Sequence, residues 1–196
     1  MDTKALLRIT GGIIGFIMAV ITTYLYVTYI LIPAITPILI HQIETQLGSE
    51  GVSISQGDIS GFISFMKVIM PITTLVGLVI GWLIEAAILM ALLRAFRINA
   101  GFMDTWLLSG NYFYVSVVQM AVTVATPLLE YSINAVAMHH SVLSEPVILA
   151  VGLAFVVMGS LFLAYIFARV YGTSITKALI PTLIALVIFW AISTII

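Results

Sequence analysis

Apolar positions in this chain run in long blocks, not at the 3.6-residue period of a soluble amphipathic helix or the two-residue period of a half-buried strand. Five blocks are long enough to cross ~30 Å of hydrocarbon, which takes ~20 helical residues. They cover residues 9–32, 72–93, 105–126, 147–168 and 178–196. Proline punctuates them. Pro33 and Pro37 are expected to end the first span, Pro71 to open the second, Pro127 to close the third and Pro146 to precede the fourth. The pattern predicts an all-α membrane protein, a five-transmembrane-helix bundle forming a single domain over 1–196, with outer loops at 33–71 and 127–146.

Those loops are not featureless. Ile40, Ile43 and Leu47 recur at helical spacing beside His41, Glu44 and Gln46, with Gly48 placed as a C-cap. Ile133, Val136, Ala137 and His140 repeat the spacing in the second loop. The segment Gly61–Met70 reads as a short interfacial helix ahead of Pro71.

Composition makes the membrane assignment firm. Hydrophobic residues are 62% of the chain and charged residues 8%, against roughly a quarter charged in soluble domains. So few charges would leave a 196-residue globule with an uncovered apolar surface, and the chain needs an apolar solvent. A net charge of -1 with scattered basic residues leaves no nucleic-acid footprint. The apolar run behind Lys4 and Arg8 outlasts the ~7–15 residues of a signal-peptide core, so the first span reads as a retained helix.

Charge also supplies an orientation. Lys4, Arg8, Arg94, Arg97, Arg169 and Lys177 are six of the seven basic residues, and all fall at alternate ends of the spans. The other two intervals hold Glu44, Glu50 and Asp58, then Glu130 and Glu145; Lys67 is the one cation on that side. The positive-inside rule puts the N-terminus and the two basic turns in the cytoplasm and the C-terminus outside, in a cell membrane.

Candidate chemistry is sparse. Glu85 lies nine residues before Arg94, roughly 13 Å into the span. A carboxylate there should face the bundle interior with a partner or be protonated. The antiparallel third span puts Asn111, Tyr112 and Tyr114 at similar depth, and Asn111 or Tyr114 is expected to bond the Glu85 carboxyl. Such a site reads either as an ion, proton or headgroup site or as interhelical glue. Gly11 and Gly15, and again Gly77 and Gly81, form G-x-x-x-G faces for close helix packing; Ala150 and Ala154 make a weaker pair. His139 and His140 have no third ligand spaced near them, so no metal site is expected. No hydrolytic pair, P-loop or dinucleotide fingerprint occurs, so neither catalysis nor a cofactor is expected.

The stretch MPITTLVGLVIGWLIEAAILMALLRAF, the turn RINAGFMDTW and the opening LLSGNYFYVSVVQM resemble the second and third spans of prokaryotic Yip1-domain proteins. Gly110–Tyr114 stands where that family carries a Gly-aromatic signature, and ARVYGTSITKALIP is similar to the turn before its last helix. The resemblance implies five spans with the N-terminus cytoplasmic. It implies a role through protein–protein or protein–lipid contacts, with membrane lipids and other membrane subunits or a second copy as partners. Two alternatives are an accessory structural subunit of a larger membrane complex and a small solute or ion transporter using Glu85.

Overall fold

The structure is a computed structural model that describes residues 3–49, 56–137 and 146–195. The described residues are helical throughout, joined by short turns. Five helices are long and apolar enough to cross a membrane: Thr3–Thr45, Gly57–Ala95, Phe102–Ala125, Pro146–Tyr171 and Ile175–Ile192. His139 and His140 lie outside the described residues.

The first long helix is composite. α1 (Thr3–Ile9) leads through a π-helical turn, Thr10–Gly15, into α2 (Phe16–Tyr26). A second π turn, Val27–Leu31, then leads into α3 (Ile32–Ser49). α4 (Gln56–Ala95) is 40 residues, ~60 Å at 1.5 Å per residue, twice the hydrocarbon thickness. The remaining helices are α5 (Phe102–Ser109), α6 (Tyr112–Ala125), α7 (Leu128–Ala137), α8 (Pro146–Tyr171) and α9 (Ile175–Ile195).

Proline stops helices here only at some of the predicted places. Thr126 is extended before Pro127, as the ring of the following proline demands, and Pro146 opens α8. Pro33, Pro37 and Pro71 do not end helices, which corrects the boundaries expected there. The outer loop expected at 33–71 is helical over 33–49 and 56–71, and the interfacial helix at Gly61–Met70 is part of α4. The physical reason is the solvent: hydrocarbon offers the backbone no other partner, so a helix keeps its remaining bonds through a proline. Pro33 falls in the first turn of α3 just after a π turn. The Thr36 hydroxyl donates to the Ile32 carbonyl (2.6 Å) beside Pro37. Thr73 and Thr74 donate to the Ile69 and Met70 carbonyls (3.0 and 2.8 Å) around Pro71.

The chain forms two compact units, one of Met1–Ala19 with Val79–Ile196 and the other of Val20–Leu78. The smaller unit consists of the two helix segments on either side of residues 50–55, with Val27, Ile32 and Met66 buried. The larger unit holds the main core. Leu163, Ala164 and Phe167 of α8 meet Ala178, Ala185 and Leu186 of α9, joined by Leu89 and Leu93 of α4. Gly152 and Gly159 let α8 accept rings, Trp190 over the first and Tyr112 over the second. Ala150 and Ala154, the small pair expected to pack, are exposed instead. A register of glycines two turns apart was the close-contact stripe.

The two basic turns share one closing motif. After α4, Ile98 N–H donates to the Leu93 carbonyl (2.9 Å) and Arg97 N–H to Arg94 (2.9 Å), with Arg97 at φ 59°. After α8, Thr173 N–H donates to Ala168 (3.1 Å) with Gly172 at φ 60°. Both are left-handed caps with a six-residue hydrogen bond; glycine takes that backbone without strain and arginine does not.

Candidate functional site

The larger unit contains three adjoining polar features, the first of them positioned by irregularities in two helices. The first lies where α1 and its π turn cross the junction of α5 and α6. Gly110 and Asn111 form a tightened turn that interrupts the third span: Asn111, Phe113 and Tyr114 N–H groups donate three residues back rather than four. The backbones meet almost without side chains between them. A Cβ on Gly11 would lie 2.6 Å from the Leu107 carbonyl oxygen, and one on Gly15 the same distance from that of Gly110. A Cβ on Gly110 would strike the Gly11 carbonyl.

Widening a helix to the π form displaces carbonyls from their usual partners. Here the Asn111 and Tyr114 side chains donate to carbonyls at the entry to that turn. Asn111 Nδ2 donates to the Leu7 carbonyl and to Leu108 (both 2.9 Å), and its Oδ1 accepts from Thr10 Oγ1 (3.2 Å). Tyr114 donates its hydroxyl to the Thr10 carbonyl (2.8 Å). This corrects the expectation that Asn111 or Tyr114 bonds Glu85: both are engaged by the first helix.

The second feature is Glu85 and the aromatic cluster one turn before it. Trp82 stacks on Phe16 (ring centroids 5.2 Å apart), contacts Trp106 (4.9 Å) and meets Phe113 edge-on (5.2 Å). Its indole N–H donates to Ser109 Oγ (3.0 Å), which donates in turn to the Trp106 carbonyl (3.0 Å). Glu85 is 3% exposed, between the buried faces of Trp82 and Leu89. Its Oε1 has no hydrogen-bond partner among the described residues, and the Tyr112 phenol lies within electrostatic range. A buried carboxyl oxygen without a donor makes the bare carboxylate costly in hydrocarbon and favours the neutral acid or a bound cation.

The third feature is the basic end. Asp104, in the first turn of α5, pairs with Lys4 Nζ (2.6 Å) and Arg8 (3.3 Å). Lys4 also sits over the Tyr171 ring, 5.9 Å from its centroid, at the close of α8. Arg94 Nε donates to the Ala100 carbonyl (2.8 Å), holding the turn that leads into α5. The N-terminal segment and both basic turns therefore gather at one end of the unit.

Gly77 and Gly81 behave differently from Gly11 and Gly15. Nothing among the described residues lies within 4 Å of a Cβ placed on Gly77, and one on Gly81 would rest 3.4 Å from the Phe189 ring. Sequence reasoning did not find Trp82, Ser109, Thr10 or Asp104 as structural partners. Two carried a signal: an indole N–H inside hydrocarbon needs an acceptor, and Asp104 is one of only two acids, with Asp2, in the three basic segments of the sequence. The π turns carried none. No protein-family model, curated protein or solved structure matches the chain.

Proposed function

We propose that this chain is a non-catalytic, multi-pass protein of the Yip1-like type that works through contacts made inside the membrane, above all with another chain. The observation that carries the reading is Gly77. Among the described residues it faces open space, with exposed Thr73 and Val76 beside it on α4. A small residue on an outward membrane face permits close approach of a second helix, where van der Waals packing drives association. An accessory subunit of a larger complex and a homo-oligomer are two forms of this reading. Five spans, a basic end shared by Lys4, Arg94 and Arg169, and the Gly110–Tyr114 signature support the Yip1-like assignment, with that end cytoplasmic and the C-terminus outside the cell membrane.

The test is Gly77→Ile. It adds bulk where nothing stands, so the fold should persist while cross-linking to the partner chain in native membranes falls at least tenfold. Unchanged cross-linking would remove the support for this face.

A second reading, a small solute or ion carrier, is favoured by the unpartnered Oε1 of Glu85. Glu85→Gln separates the two. A contact protein should keep its fold and its partner, because Gln nearly reproduces a neutral Glu. A carrier should stay folded and lose proton- or cation-coupled flux in vesicles.

A further inference from the structure

We infer that the basic end of the larger unit holds an anionic glycerophospholipid, with its phosphate on Arg8 and one acyl chain in the groove between α1 and α5. The groove has a volume of about 260 Å³ and is lined by Ala5, Arg8, Ile9, Ile13 and Leu107. Among the described residues, its one charged wall is Arg8. The other four side chains are apolar, and from Ala5 to Ile13 they extend ~12 Å along the helix axis. A site that is cationic at its mouth and hydrocarbon along its length has the polarity of a lipid: an anionic head joined to an apolar chain.

Charge complementarity selects the head. Lys4 and Arg8 both pair with the Asp104 carboxylate, and these three side chains have a formal charge of about +1. Both cations retain 36% of their side-chain surface, and Asp104 retains 22%. Arg8 is positioned for a second acceptor: its 3.3 Å contact with Asp104 occupies one terminal nitrogen, and the planar guanidinium presents several donors to phosphate oxygens. A zwitterionic head brings its own cation toward Lys4 and Arg8, and an anionic head does not. The preference therefore runs toward phosphatidylglycerol over phosphatidylcholine. This inference stands apart from the partner-chain reading, because it requires only that the protein sit in a bilayer.

The experiment uses the full chain, purified and reconstituted in phosphatidylcholine vesicles. These carry a trace of photoactivatable phosphatidylglycerol or photoactivatable phosphatidylcholine, with the reactive group on the acyl chain. Phosphatidylglycerol should label the peptides containing Ile9, Ile13 and Leu107 about tenfold more than phosphatidylcholine. Arg8→Gln should abolish that preference and Arg8→Lys should keep most of it. Asp104→Asn raises the local charge and should strengthen labelling, whereas a purely structural role for the ion pairs requires it to weaken labelling alongside Arg8→Gln. Leu107→Trp fills the groove and should reduce labelling by both probes. Equal labelling by the two lipids, a preference that survives Arg8→Gln, or a loss in Asp104→Asn would each overturn the inference. Inorganic phosphate at millimolar concentration should not compete; displacement of the lipid by phosphate alone would also overturn it.

Discussion

Two glycine pairs with the same spacing have opposite surroundings. Gly11 and Gly15 lie under the α5–α6 junction, where backbone oxygens of Leu107 and Gly110 occupy the space a side chain would need. Gly77 looks onto nothing among the described residues, and Gly81 onto the edge of one phenylalanine ring. The spacing shows only that a helix has a smooth face. What fills that face depends on the neighbours, and at Gly11, itself part of a π turn, they are the Leu107 carbonyl and the Asn111 amide. The first pair is a fastening inside the unit; of the second, Gly77 is open among the described residues and Gly81 is covered by a ring.

The largest expected effect lies at the fastening. Gly11→Ile pushes a branched side chain into the Leu107 carbonyl and the Asn111 amide, where backbone has to yield; the cost should be about 3 kcal/mol or more. Thermal unfolding in detergent should show loss of most folded material. The same substitution at Gly77 should leave the melting temperature unchanged, and equal damage at both positions would erase the distinction.

A smaller effect sharpens the chemistry of the fastening. Asn111→Ala removes two donated bonds and one accepted bond; at about 0.6 kcal/mol for each in a membrane, the loss is ~2 kcal/mol. Tyr114→Phe removes one, so about 0.6 kcal/mol should be lost. If the two side chains together hold the entry to the π turn, Asn111 through the Leu7 carbonyl and Tyr114 through that of Thr10, the double variant should fall short of the sum. A strictly additive result would mean that the two bonds are independent.

The smallest effect concerns the caps at the basic end. Arg97 holds the left-handed backbone that Gly172 holds in the corresponding turn. Arg97→Gly should stabilise by about 0.5–1 kcal/mol by relieving its Cβ, and Gly172→Ala should cost about 1 kcal/mol. Chemical denaturation of the detergent-solubilised protein measures both.

Much of the helix count was legible because lipid permits few solutions: unbroken apolar blocks of twenty residues, bounded by charge, can only be helices. The turns at Arg94–Asp104 and Arg169–Lys177 were equally plain, since six cations gathered at alternate ends. Proline misled at Pro33, Pro37 and Pro71. In water a proline usually ends a helix, but in hydrocarbon the backbone has no other partner, and the helix continues through Pro37 and Pro71. Glu85 was found as a buried carboxyl, yet its expected partners were wrong. Depth along a helix is readable from spacing, whereas rotation about the axis is not, and Asn111 and Tyr114 turn toward α1.

By itself the sequence determined five apolar helices, the ends at which basic charge accumulates and the residues that lipid makes costly. All of these follow from transfer energies summed along one helix. Tertiary structure alone decided which glycine face is filled, which carbonyls the π turns release and which donors meet them. Those are contacts between helices remote in sequence, set by their mutual rotation at ångström precision. Hydrophobicity does not encode that rotation, because in hydrocarbon every apolar face is equally at ease.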